Sequence, residues 1–156
     1  MITGSGKSTA AVNGIVQAVR PFTMEQKQMT ERQTVHFNPS VDKKLKCPCC
    51  GEGRLSVATF IVLETVRMHF DKPVTITSGP RCSTYNRKVG GSARSEHLIV
   101  PDEDVEAVDF VVEGVKPHDV YAYLDSLPYA NLLGLGKYKD FTHMDTRGYR
   151  ARWKGE

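Results

Sequence analysis

The stretch SVATFIVLETVRMHFDKPVTITSGP, residues 56–80, decides the fold class of this chain. Between Ser56 and Phe70, apolar side chains recur at the three- and four-residue spacing of an amphipathic helix, and serine is a residue type that caps helix N-termini. After a short turn, Val74–Ser78 alternates apolar and polar residues as a half-buried strand does, and Gly79-Pro80 ends the strand. The stretch therefore predicts a helix followed directly by a strand.

The sequence beyond this stretch continues to mix helical and strand patterns. Helices are predicted at residues 84–89 and 117–127, and strands at residues 107–112, 132–138 and 141–146. These elements do not alternate regularly as strand and helix, which argues against a repeated βαβ unit. The pattern predicts an α+β fold, a small mixed domain in which helices flank a central antiparallel sheet.

The composition is that of an ordinary folded domain. The chain has 156 residues, of which 40% are hydrophobic and 25% charged, and these values exclude a wholly disordered, collagenous or coiled-coil protein. No apolar run reaches the roughly 18 residues of a membrane span, so we expect no membrane-spanning segment. The net charge of +3 is a mild basic excess, which by itself identifies neither a nucleic acid nor a cell wall as a partner.

The first part of the chain differs in character from the rest. Residues 1–43 lack a sustained helical or strand period, so we expect an extended or flexible arm there and a folded domain over residues 44–156. GSGKST at residues 4–9 resembles the end of a phosphate-binding loop, but no strand precedes it, and we expect neither nucleotide nor nucleic-acid binding. The start also lacks the basic and apolar regions of a secretory signal peptide, which predicts a protein made in the cytoplasm.

Four cysteines form a second pattern, three of them in Cys47-Pro-Cys49-Cys50 and the fourth at Cys82. A zinc ribbon has two C-x-x-C pairs, whereas here only Cys47 and Cys50 have that spacing. The adjacent Cys49 and Cys50 do not easily bind one ion together. A disulfide to Cys82, a metal site and free thiols are all compatible with the sequence.

Two histidines and an aspartate stand in unusual surroundings. His97 ends the polar loop GGSARSEH, and Asp109 lies inside the apolar strand AVDFVV, where a carboxylate is costly unless it is paired or bound to a metal. In FTHMD, His143 and Asp145 point to the same face of a strand. Two histidines and one carboxylate leave one position of a tetrahedral zinc ion open, as catalytic zinc sites do.

Taken together, these fragments resemble the zinc peptidases that cut peptidoglycan stem peptides, namely the D-Ala-D-Ala carboxypeptidases and the L-alanyl-D-glutamate endopeptidases of phage endolysins. The matching text is VTITSGPRCSTYNRKVGGSARSEHL, then EAVDF, then GLGKYKDFTHMDTRGYRARW, within residues 44–153. The resemblance implies the fold that these peptidases share with the hedgehog-type signalling domain. Because that domain is not a peptidase, the fold alone does not establish activity.

The resemblance implies that His97, Asp109 and His143 bind the zinc ion. The spacing from His97 to Asp109 is longer than is usual in the family, and we interpret the extra residues as an inserted surface loop. Asp104 stands near the usual spacing and is a rival ligand. The flanking residues AVDF favour Asp109.

The resemblance also implies roles for the residues around the metal. Arg81 of SGPR holds a carboxylate or carbonyl oxygen of the substrate, a task that suits its planar charged fork, and Ser95 lines the substrate cleft. Asp140, three residues before His143, takes the place of the catalytic general base. Asp145 is either the alternative base or a partner that orients His143.

From the resemblance we expect a zinc metallopeptidase that hydrolyses an amide bond in peptidoglycan stem peptides. We expect it to be phage-encoded and to reach the wall by holin-type release or within a virion, where other virion proteins are candidate partners. The alternative is a virion-associated structural protein that binds wall peptide through a peptidase-like domain and has little or no activity. The sequence leaves open which bond is cut, whether cleavage is of the endopeptidase or carboxypeptidase type, the host, and the oligomeric state.

Overall fold

The structure, a computed structural model, describes residues 33–156 and contains a five-stranded sheet with helices against it. The helices are α1 (Val57–Phe70), α2 (Ser83–Lys88) and α3 (Pro117–Asp125). The strands are β1 (Val74–Ser78), β2 (Ala107–Val112), β3 (Gly134–Lys137), β4 (Thr142–Asp145) and β5 (Ala151–Lys154). The GSGKST sequence lies outside the described residues.

The strands lie in the order β1-β2-β4-β3-β5. The first four are antiparallel neighbours, as expected, whereas β5 runs parallel to β3. The α+β class is confirmed, and the sheet is mixed because of this fifth strand. β5 was not predicted, because ARWK alternates apolar and charged residues over only four positions, the shortest run that can indicate a strand. Its position is set by tertiary pairing, in which the amides of Gly148 and Ala151 donate to the carbonyls of Leu132 and Leu133 at 3.0 and 3.3 Å.

Helix α1 forms the helical part of the core. Ser56 caps it as predicted, because its Oγ accepts a hydrogen bond from the Thr59 amide at 3.1 Å. Its residues Ile61, Val62 and Leu63 are buried, since none of them is more than 4% exposed. The helix contacts β2, so it supports the strand that carries Asp109.

The remaining predicted elements are present, with small changes of length. β1 and β2 have the predicted bounds, α2 begins and ends one residue early, and α3, β3 and β4 are shorter than predicted. Helix α3 contacts β2, β3 and β4, so helices flank the sheet as expected. Within residues 33–156, every helix is too short or too polar to cross a membrane.

The chain packs against the domain before residue 44. Phe37 belongs to the hydrophobic core and is 3% exposed. His36 donates through its backbone amide and its Nδ1 to the carboxylate of Glu64 in α1, at 2.9 and 2.7 Å. The packed region therefore extends ahead of the boundary expected at residue 44. One aromatic residue and one histidine make no periodic pattern that would reveal these contacts from the sequence.

The contribution of Phe37 can be measured directly. Phe37→Ala removes a buried ring and leaves a cavity, so the free energy of unfolding should fall by about 3 kcal/mol in urea titrations followed by circular dichroism. Val35→Ala is the matched control: Val35 is 63% exposed, and its loss should change stability by less than about 0.5 kcal/mol. Equal stability of the two variants would show that Phe37 does not contribute to the core.

Candidate metal centre

Asp109 and His143 are direct neighbours across the sheet. β2 and β4 pair antiparallel with these two residues opposite each other, so their side chains leave the same face side by side. Asp109 Oδ1 lies 2.8 Å from His143 Nδ1. His97, in the loop after α2, places its Nε2 at 3.3 Å from each of those atoms. The structure thus brings the three predicted ligands into one cluster, in which each residue is at most 8% exposed.

A backbone carbonyl determines which nitrogen of His97 faces the cluster. His97 Nδ1 lies 2.8 Å from the Gly79 oxygen, and because a carbonyl can only accept, Nδ1 carries the hydrogen. In the neutral ring, Nε2 is then an unprotonated acceptor directed at Asp109 and His143. Ser95 supports the loop, since its Oγ accepts a hydrogen bond from the His97 amide at 3.2 Å. In this structure Ser95 therefore helps to position a ligand, and its contact with substrate stays a prediction.

A buried carboxylate likewise determines which ring nitrogen of His143 faces the cluster. Nε2 of His143 donates to Asp145 Oδ2 at 2.8 Å, and Arg147 donates through Nε and Nη2 to the two oxygens of Asp145, each at 2.7 Å. Asp145 is fully buried. Burial alone raises the pKa of Asp145, but the hydrogen bonds from Arg147 and His143 lower it to about 2. Asp145 is therefore ionised at neutral pH, and His143 Nδ1 is left as an acceptor in the neutral ring.

With both rings neutral, the cluster consists of three acceptor atoms that point at one another, an arrangement that an added proton or a metal cation satisfies. Burial lowers the pKa of His143, but its hydrogen bonds with Asp109 and Asp145 outweigh burial and raise the pKa above its usual value. The cluster thus favours positive charge. Around tetrahedral zinc, with bonds of about 2.0–2.1 Å, the atoms that bind the metal lie roughly 3.3 Å apart. The three atoms are 2.8–3.3 Å apart. These separations, and the combination of two imidazole nitrogens with one carboxylate oxygen, fit a zinc ion with one open position.

Arg81 contacts a predicted ligand. Its Nη2 donates to Asp109 Oδ2 at 3.0 Å and its Nε to Ser78 Oγ at 2.9 Å. Asp109 is thus held at both oxygens, one facing the histidines and the other facing Arg81. Burial raises the pKa of Asp109, but its close contacts with His143 and His97 hold the pKa well below its usual range. The observed contact orients Asp109, whereas a contact between Arg81 and substrate stays a prediction.

Two further aspartates lie apart from the cluster. Asp140 is exposed on the connection between β3 and β4, and within residues 33–156 no hydrogen bond or ion pair joins it to the three ligands. Its role as general base stays a prediction. Asp104, the rival ligand, forms an ion pair with Arg54 and does not belong to the group of converging atoms.

Two residues beside the cluster, Arg147 and Trp153, were not singled out from the sequence. The Trp153 ring on β5 lies 4.9 Å from the His143 ring. Gly136 is opposite His143 on β3, and a Cβ there would come within 2.6 Å of Trp153 Nε1, so glycine leaves space for the indole. Two features of the sequence could have pointed to these residues. Gly136 lies within a predicted strand and leaves space for a large ring, and Arg147 stands two residues after Asp145.

The sequence of this chain also matches a known protein family. The family model described as Peptidase M15 matches residues 22–145. The matched region contains His97, Asp109 and His143 and ends at Asp145. A search of curated protein sequences found no match to this chain.

The contact between Asp145 and His143 leads to a testable expectation. Asp145→Asn keeps the side-chain shape but loses the charge that holds the His143 ring, so zinc affinity should fall about 10–100-fold in competition with a chromophoric chelator. Asp140→Asn is the control, because Asp140 is exposed and should leave the affinity unchanged. Wild-type affinity in Asp145→Asn would show that this carboxylate does not orient a metal ligand.

Proposed function

The chain belongs to the peptidase M15 family of zinc-dependent metallopeptidases, and we propose that it hydrolyses an amide bond in the stem peptides of peptidoglycan. The observation that carries the proposal is the convergence of His97 Nε2, Asp109 Oδ1 and His143 Nδ1 on one point. The choice of peptidoglycan is supported by the resemblance of SGPR, GGSARSEHL and the late H-x-D sequence to wall peptidases.

The three ligands leave one coordination position for reaction. A zinc ion bound there supplies Lewis-acid activation of the peptide carbonyl and of a water molecule. The protein keeps the ligands ready: the Gly79 carbonyl holds His97, Asp145 holds His143, and Arg81 holds Asp109. Because each contact is already formed and buried, no reorganisation of these groups is needed during the reaction.

Proton transfer requires a carboxylate outside the ligand set. Asp145 does not suit this task, since its oxygens already accept hydrogen bonds from His143 and Arg147. We propose that Asp140 is the general base that takes a proton from the reacting water and passes it to the leaving amine. Support comes from its exposed position three residues before His143 and from the resemblance to wall peptidases.

Peptidoglycan lies outside the cytoplasmic membrane, so this function requires delivery to the wall. We propose a phage lysis or virion protein that reaches the wall by holin-type release or as part of a virion. The resemblance of residues 44–153 to endolysin peptidases supports this assignment.

Incubation of the zinc-loaded full chain with purified peptidoglycan tests the proposed function. Mass analysis should find stem-peptide fragments that have gained one water at a single bond, and a chelator should prevent their formation. Asp109→Ala should abolish cleavage because a ligand is lost, whereas Asp104→Ala should cleave normally. Intact peptidoglycan after incubation with the zinc-loaded protein, or cleavage by Asp109→Ala, would contradict the proposal. The masses of the fragments identify the bond, and release of free D-alanine would indicate a carboxypeptidase.

Arg81→Lys tests the importance of the contact with Asp109. Lysine keeps the charge but cannot bond to Ser78 and Asp109 with a planar fork, and loss of one charged hydrogen bond should lower kcat/KM by about tenfold or more. Arg94→Lys is the matched control, because Arg94 is exposed on the loop before His97. Steady-state cleavage of a defined stem peptide measures both variants. Equal rates for the two would remove Arg81 from the site.

A further inference from the structure

A second cluster of metal-binding side chains lies outside the histidine site. The Sγ atoms of Cys47, Cys50 and Cys82 all lie within 4.8 Å of one another. Cys47 and Cys50 belong to the segment before α1, and Cys82 is the N-cap residue of α2. The fold therefore assembles three thiols from two distant parts of the chain. All four cysteines of the sequence are free thiols in the structure.

The chain at Cys47-Pro-Cys-Cys-Gly51 folds into a tight turn that presents two thiols together. The Gly51 amide donates to the Cys47 carbonyl at 2.8 Å, and the Cys47 amide donates to the Glu52 carbonyl at 2.8 Å. Gly51 has φ of +72°, a left-handed conformation that glycine adopts without strain. The reversal brings Cys50 back beside Cys47, as the two cysteines of a C-x-x-C metal ligand pair must be.

The environment of Cys47 favours its thiolate form. Cys47 is 1% exposed, and the Cys82 amide donates to its sulfur at 3.3 Å. Amide groups directed at sulfur stabilise the negative charge that a metal ligand carries.

We propose that Cys47, Cys50 and Cys82 together bind a zinc ion, at a site separate from the one formed by His97 and its partners. Thiolate ligands select soft or borderline cations. Among these cations zinc prefers tetrahedral coordination, and three converging sulfurs supply three of its four positions. Three thiolates would leave one position of such an ion without one of these three ligands. Binding displaces the thiol protons, so metal uptake releases acid.

The position of this site links it to the neighbouring cluster. Cys82 directly follows Arg81, whose guanidinium orients Asp109. The backbone of Arg81 is in turn bonded to the loop of His97: the Arg81 amide donates to the His97 carbonyl at 2.8 Å, and the Ile99 amide donates to the Arg81 carbonyl at 2.9 Å. A metal ion between Cys47 and Cys82 therefore fixes the segment that carries Arg81. Its role is to stabilise the segment next to the reaction site, without contact with substrate.

Cobalt substitution of the full-length protein distinguishes the two sites. Cobalt bound by thiolates gives an intense sulfur-to-metal charge-transfer absorption in the near ultraviolet, whereas cobalt bound by histidine and aspartate does not. We expect this absorption in the wild-type protein and in His143→Ala, and about two zinc ions per chain in the zinc-loaded wild type by elemental analysis. His143→Ala should keep about one, so the outcome at the cysteines does not depend on the proposed peptidase function.

Cysteine variants complete the test. Cys50→Ser and Cys82→Ser should lose the charge-transfer absorption, whereas Cys49→Ser, which changes the exposed neighbour, should keep it. Alkylation of the zinc-loaded protein should modify Cys49 alone, whereas after chelation the exposed Cys50 should react as well. Absence of the absorption in reduced wild-type protein would overturn the proposal whether or not the variants fold. Retention of the absorption in Cys50→Ser, its loss in Cys49→Ser, or a disulfide among these cysteines in the zinc-loaded protein would also overturn it.

Discussion

The contact between Asp109 on β2 and His143 on β4 is the constraint on which the rest of the site depends. Burying a carboxylate and an imidazole in the middle of a sheet is costly unless each has a partner. The neighbouring residues supply those partners: Arg81 neutralises Asp109, and Arg147 neutralises Asp145. The charges of these two ion pairs cancel each other. A divalent cation then supplies the positive charge toward which the three acceptors point.

The fold brings these groups together by pairing elements that are distant in sequence. The register of β2 against β4 sets Asp109 opposite His143, and the hairpin of β3 and β4 sets Gly136 opposite His143. β5 then returns beside β3 and adds Trp153 next to the His143 ring. The loop of His97 is joined by backbone hydrogen bonds to Arg81. Each ligand is consequently fixed by backbone as well as by side-chain contacts, which suits a site that must keep its geometry during a reaction.

Much of this arrangement could be predicted from the sequence, because local patterns determine it. The apolar spacing of α1 and the alternation of β1 are properties of short segments, and Asp109 stands out as a charge within an apolar strand. The contacts of His36 and Phe37 could not be predicted, since they depend on where α1 lies in the folded protein. The same holds for β5, because four residues are too short a pattern to place the strand beside β3. The contact of Arg81 with Asp109 likewise became visible only in three dimensions.

The most direct measurement of the central claim is anomalous diffraction from crystals of the zinc-loaded protein, recorded on both sides of the zinc absorption edge. The account predicts an anomalous peak at about 2.0–2.1 Å from His97 Nε2, Asp109 Oδ1 and His143 Nδ1. Density at the fourth position of this ion should correspond to water or bound peptide. A zinc-loaded crystal with no anomalous peak among these three atoms, or with zinc bound through Asp104 in place of Asp109, would contradict it.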